Sequence, residues 1–253
     1  MEHNKATEQS VKKANIEFYD AVAGSYESID GRRSPKLENW LKTTLVGLAE
    51  LSPGTTLLDI GTGSGLVTRC AEGIYKTRIG VDISQKILEA SRSSFDLGVC
   101  ADIDRLPFKD NSFDAVTCFS VLHHMYDFKG LVAEVARITK PGGIFYTDHD
   151  MDINFSNKFG GLINIYRKTR NAASKYRKAA NKITDELYKM SEWQENGIDS
   201  LYLTGLFEQA GFSTKQKFHW FGLNPVSDLI FGKINMRRGY APLFSLVCTK
   251  LKK

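Results

Sequence analysis

Leu57-Leu58-Asp59-Ile60-Gly61-Thr62-Gly63-Ser64-Gly65, LLDIGTGSG, is the stretch on which the fold turns. Four largely apolar, strand-forming residues run straight into a turn carrying three glycines. A short apolar run suits a parallel strand buried on both faces, and the glycines let the backbone turn tightly and approach a bound molecule closely. Helix-forming residues, Leu66 to Ala71, follow at once. In an open α/β sheet the crevice beyond the carboxyl ends of the strands is the usual binding place.

Upstream, the apolar spacing over residues 8–29 predicts a helix and a turn at Gly24-Ser25. A second helix starts at Ser34-Pro35, with the serine as cap and the proline in the first turn, and Pro53-Gly54 ends it. Downstream, TRIGVDIS at 77–84 reads as a second strand with Asp82 at its end. LGVCAD ends a third strand at Asp102, and FDAVTCFSV at 113–121 is the fourth. LVAEVARITKPGG at 131–143 is a helix closed by Pro-Gly-Gly, and IFYTDHD is the fifth strand. YLTGLFEQAGF is a helix, followed by strands STKQKFHWF and APLFSLVCTK. Strands alternating with helices indicate a parallel sheet.

The glycine turn departs from the dinucleotide fingerprint G-x-G-x-x-G, because its third glycine comes one residue early and Asp59 precedes it. LLDIGTGSG, GVDIS, CADIDRLPFKDNSFDAVTCFSVLHHM and EVARITKPGG, with the lead-in YDAVAGSYE at 19–27, resemble the small-molecule class I S-adenosylmethionine (SAM) dependent methyltransferases related to the ubiquinone and menaquinone biosynthesis enzymes. The resemblance covers about residues 15–150. It implies a Rossmann-like α/β fold: a seven-stranded, mostly parallel sheet with helices on both faces, the last strand running antiparallel between the fifth and sixth. It implies SAM as cofactor, with Asp59, Gly61, Gly63 and Gly65 around the loop and Asp82, beside Ile83, on the ribose hydroxyls. Asp102 is expected at the exocyclic amine of adenine and Ile103 against the ring. Tyr26 and Phe119, with Tyr19 and Trp193, are aromatic candidates to enclose the sulfonium.

A single domain over 1–253 is expected, divided into a helical lead-in (1–52), a SAM-binding core (55–150), a helical insertion (151–200) and a closing helix and strands (201–253). In the insertion, Phe159, Leu162, Tyr166, Ala173, Tyr176, Ala180, Ile183 and Leu187 recur at helical spacing. Eight basic residues lie between Lys158 and Lys182 with no acid among them, so the insertion reads as a lid over the acceptor pocket. Residues 224–239 read as a second, shorter cover. Charge is uneven: residues 1–150 carry 17 Lys+Arg against 21 Asp+Glu, and 151–253 carry 17 against 8. That balance suggests an anionic partner for the second part, or a basic solvated surface.

The expected function is methylation of a small molecule, hydrophobic or anionic: a lipid, a quinone precursor or a secondary metabolite. The alternatives are RNA methylation, permitted by the basic second half, and non-catalytic SAM binding. Nucleic acid is disfavoured, because strand four ends in FSVLHH and no Pro-Cys nucleophile is present. His124 and His149 are candidate bases, since imidazole titrates near neutrality. No metal is expected: the four cysteines are scattered, and alternation along a strand sends Asp148 and His149 to opposite faces. No run nears the roughly 18 apolar residues of a membrane span. The expected location is cytoplasmic, with peripheral membrane contact left open.

Overall fold

A computed structural model describes residues 7–30, 34–170 and 172–252, and the side chains of these apart from 30, 162 and 164–173. The chain runs α1 (Glu8–Val22), α2 (Tyr26–Asp30), α3 (Pro35–Leu51), β1 (Thr56–Ile60), α4 (Leu66–Cys70), β2 (Thr77–Asp82), α5 (Gln85–Ala90), β3 (Leu97–Cys100), β4 (Phe113–Phe119), α6 (Lys129–Ile138), β5 (Thr139–Met151), α7 (Ile153–Arg170), α8 (Ala172–Ala179), α9 (Asp185–Ser191), α10 (Ser200–Gln209), β6 (Phe212–His219), α11 (Pro225–Ile230) and β7 (Leu243–Lys250). The sheet order is β3-β2-β1-β4-β5-β7-β6. β1 to β5 are parallel, and β7 lies antiparallel between β5 and β6, as the resemblance implies.

The central strands are apolar on both faces because each face feeds a different core. Leu58 and Ile60 of β1 pack with Val116, Phe145, Leu131 and Phe207 beneath α6 and α10. Leu57 points the other way, into the layer of Leu41, Leu45 and Val67 beneath α3 and α4. Each such fully buried side chain contributes on the order of 2 kcal/mol. Ser34 caps α3 and Pro35 occupies its first turn, as expected. Strand order reverses between β1 and β4, so a crevice opens where their carboxyl ends diverge.

Two boundaries differ from the sequence reading. α6 stops at Ile138, and β5 begins at Thr139, ahead of the Pro-Gly-Gly turn, because Thr139 already pairs with Phe113. Among its described residues the insertion forms three helices, the first kinked at Phe159. Its end packs on the lead-in: Phe18 and Val22 are buried with Ile183, and Tyr176 and Tyr188 meet the Phe18 ring at 5.1 and 6.0 Å. Arg167, Lys168 and Arg170 have side chains outside the described residues. Among the described residues no helix is long and apolar enough to cross a membrane.

Candidate active site

The crevice at the β1/β4 divergence encloses about 1440 Å³ including its open mouth. Its floor is the glycine turn. Gly61, Gly63 and Gly65 hold φ of 66°, 52° and 76°, which glycine adopts without strain. A Cβ on Gly61 would fall 2.6 Å from the Val121 side chain, and one on Gly63 would meet the Tyr26 ring at 3.6 Å. Gly65 does not face the crevice; a Cβ there would strike Ser94 at 2.3 Å, so this glycine serves packing behind the loop.

Asp82 ends β2 and is buried, accepting N–H bonds from Gly63 and Ser84, each at 3.0 Å. Burial pushes its carboxyl above the usual range, against the pull of those bonds. Ser84, by its own hydroxyl, caps α5 at Ile87 N, so the cap of that helix does not need the Asp82 carboxylate. Asp59 is buried and accepts from Thr117 Oγ1 at 2.8 Å. Ile83, Asp102, Ile103, Phe119 and Tyr26 also line the crevice. Trp193 does not, and stacks instead on Tyr126.

One crevice residue escaped the sequence reading because it sits on the polar lead-in helix. Lys12 Nζ donates to Asp102 at 2.8 Å and to Asp104, and pairs with Glu8 at 2.6 Å. Burial opposes its charge, yet these carboxylates hold the ammonium above its ordinary range. Asp102, expected at the adenine amine, is therefore shared with a lysine.

His124 faces the crevice with both ring nitrogens engaged. Its Nδ1 lies 2.6 Å from the Ser191 carbonyl oxygen and must donate; its Nε2, 2.6 Å from the Tyr19 hydroxyl, must accept. Burial, helped by neighbouring His123, pulls its pKa down to about 4, while burial pushes the Tyr19 hydroxyl well up. The insertion holds this loop: Gln194 donates to the carbonyls of His123 (2.8 Å) and Met125 (3.1 Å). Among the described residues none of 151–200 lines the crevice itself. The described residues of the insertion act on the wall from behind.

His149 corrects the strand argument about the DHD triplet. A bulge between Thr147 and Asp150 gives His149 a φ of 66°, so alternation fails there. Asp148 and His149 turn to the same side, with Nδ1 donating to Asp148 Oδ1 at 2.8 Å. His219, from the end of β6, donates Nε2–H to the same oxygen at 2.9 Å, and the Tyr146 hydroxyl takes the other. Burial works against Asp148's charge, but the imidazoles of His219 and His149 hold it well below the carboxylate range; Asp148 in turn lifts His219 above its own, against burial. Among the described residues the His149 Nε2 is buried without a partner, its ring 4.5 Å from that of Phe119. Trp40 of α3 packs on His149 and His219 at 5.1 and 5.5 Å. His219 and Trp40 carried no motif; the order β5-β7-β6 brings His219 here, and the docking of α3 brings Trp40.

Among the described residues two groupings could be arranged around a metal: Asp148, His149 and His219, and His123, His124 and Glu192. In the first, Nδ1 of His149 and Nε2 of His219 are already hydrogen-bonded to Asp148, and in the second His124 has neither nitrogen to spare.

Three features suit an adenosyl sulfonium. The glycine backbone is bare where a nucleoside would lie; Asp82 is a desolvated carboxylate, free of side-chain cations among the described residues; and six carboxylates, from Glu8, Asp59, Asp82, Asp102, Asp104 and Asp127, line the crevice against one lysine. A cation is favoured there. The side toward His149 is apolar, with Leu37, Phe119, Leu223 and Leu243.

Residues 58–147 match the methyltransferase domain family. The chain is 37% identical over 129 residues to a demethylmenaquinone methyltransferase of Corynebacterium urealyticum, covering 50% of this chain and 55% of that one. It is 31% identical over 146 residues to the ubiquinone/menaquinone biosynthesis C-methyltransferase of Burkholderia ambifaria, covering 54% and 59%. It thus spans a little over half the length of these curated relatives. The fold is shared with magnesium protoporphyrin IX methyltransferase of Synechocystis, solved with SAM bound, at a TM-score of 0.57, 12% identity and 98% and 99% coverage.

Proposed function

We propose, from a chain whose residues 58–147 match the methyltransferase domain family and whose sheet has the class I methyltransferase order, an enzyme that transfers a methyl group from SAM to a small, largely apolar acceptor. The carrying observation is the two-sided crevice, with buried Asp82 and bare glycines on one side and an apolar wall ending in His149 on the other. The curated relatives act on quinone precursors by name, and the apolar wall supports an acceptor of that kind. The acidic lining opposes a nucleic-acid backbone, and any anionic group of the acceptor would lie toward the mouth or the basic insertion.

SAM, when bound, supplies an electrophilic methyl carbon. The residues of the chain then align and deprotonate. Asp82 takes the ribose hydroxyls, while Asp59, Gly61, Gly63, Ile83, Asp102 and Ile103 fix the rest of the nucleoside and its amino-acid tail. Tyr26 and Phe119 exclude water; holding the reactants in line can account for ~7 kcal/mol or more of the barrier. Since Nδ1–H of His149 is committed to Asp148, its lone pair is on Nε2; Gly222 covers that nitrogen, and a shift of the turn at 222–223 would expose it to accept the proton from an acceptor hydroxyl or carbon acid. His219 steadies Asp148. His124 does not act as base; it positions the Tyr19 hydroxyl against the crevice.

The test is incubation with methyl-labelled SAM and cell extract, followed by organic–aqueous partition and mass identification. Label in an extractable small molecule is expected. Label in RNA, or donor binding without transfer to any fraction, would overturn the reading.

A further inference from the structure

Four of the most exposed large apolar side chains of the described chain sit within nine residues, at the turn that follows the crevice wall. Val226, Leu229, Ile230 and Ile234 are 65%, 87%, 61% and 59% exposed. Val226, Leu229 and Ile230 recur at helical spacing and share one face of α11, and Ile234 follows just past the turn at Gly232, whose φ of 52° ends the helical path.

The other face is anchored. Asn224 caps the helix at Val226 N and Ser227 N, and Asp228 accepts the Gly222 N–H at 2.8 Å. Phe231 stacks on Trp220 at 5.0 Å, and Met236 N–H donates to the Phe218 carbonyl at 2.9 Å. The apolar ridge is therefore held outward by a fixed base. Lys233 and Arg237 are exposed in the same segment, Lys233 with its Nζ 5.3 Å from the Phe221 ring, whereas Asp228, the one acid between 225 and 240, is turned inward to its Gly222 bond. Gly222 and Leu223, immediately before the helix, line the crevice.

We propose that residues 225–237 dock this protein on an anionic lipid bilayer, with the ridge in the acyl boundary, the two cations at the headgroups and the apolar side of the crevice facing the surface. An apolar ridge flanked by cations is what an interfacial helix presents to anionic lipid. A second copy of the chain is the weaker occupant, because four side chains on a six-residue helix and its turn fall short of the ~800 Å² per partner of a standard interface. Docking at this edge rests on the reading that the acceptor is apolar, since it would let such an acceptor pass from lipid to Leu223 without crossing water.

The experiment is flotation of the full chain with phosphatidylcholine vesicles, with and without phosphatidylglycerol, alongside calorimetric titration with SAM. Wild type should partition to the anionic vesicles about tenfold more strongly than to the neutral ones, and less in high salt. Leu229→Ser with Ile230→Ser should lower that partition about tenfold, and Lys233→Gln with Arg237→Gln should abolish the preference for anionic lipid. Both variants should titrate with SAM as wild type does. The proposal is overturned if wild type stays with neither vesicle, if the serine variant floats as wild type does, or if wild type is a dimer that the serine variant dissociates. Loss of SAM binding in wild type would sink the methyltransferase reading alone, since flotation does not depend on it.

Discussion

Gly222 sits against the Nε2 edge of the His149 imidazole: a Cβ on this glycine would fall 2.3 Å from Nε2 and 3.1 and 3.4 Å from the adjoining ring carbons. The same residue holds a φ of 92°, a conformation side-chain-bearing residues rarely adopt. Gly222→Ala should therefore cost stability twice, by strain and by collision, roughly 1–3 kcal/mol or more in all. Gly211 supplies the control, with a φ of 89° and open space around its Cβ position. Thermal melts should show Gly222→Ala the more damaging, and only it should slow turnover. Equal melting losses with unchanged turnover would show that the loop simply moves aside.

Removing the proposed base should separate binding from chemistry. His149→Ala is expected to lower single-turnover methyl transfer roughly 10²-fold or more, the usual range for a lost general base, with SAM affinity retained. His124→Ala should act more mildly, through Tyr19. Transfer unaffected by loss of His149 would point to an acceptor that needs no base, such as an amine.

Asp82→Ala tests the cofactor register. Each bond to a charged acceptor contributes ~1.5–3 kcal/mol, so calorimetry should show SAM affinity falling roughly ten- to a hundredfold. A folded variant that binds SAM as wild type does would mean that the nucleoside lies elsewhere.

His124 makes stability depend on pH in a stated direction. Its folded pKa, about 4, lies below the ordinary 6.5, so the folded state takes up protons less readily than the unfolded. Its contribution is complete above about pH 6.5 and is lost as pH falls toward about 4, amounting to about 3 kcal/mol at most. Urea titrations at about pH 7.5 and pH 5 should show wild type losing more stability than His124→Gln over that interval. Parallel losses would place the pH sensitivity in other groups.

Much of the fold was legible because its signals are local. The apolar run Leu57–Ile60, the glycines after it, the Ser34-Pro35 start of α3 and the alternation of strand and helix each follow from period, turn chemistry and capping within a few residues. The acids ending β2 and following β3 were legible for the same reason: in a parallel sheet, strand ends gather at one edge.

The histidine site was not legible in that way. Alternation along IFYTDHD puts Asp148 and His149 on opposite faces, and only a bulge, set by how β5 meets β7, turns them together. His219 reaches Asp148 from two strands away, and Trp40 and Lys12 arrive on helices whose docking no local pattern records. By itself the sequence determined which segments are strands and helices and where the ligand edge lies, since these depend on neighbours along the chain. Tertiary structure alone decided that, among the described residues, His149 keeps a nitrogen without a partner while His124 does not, because a hydrogen bond is won or lost by ångströms between residues distant in sequence.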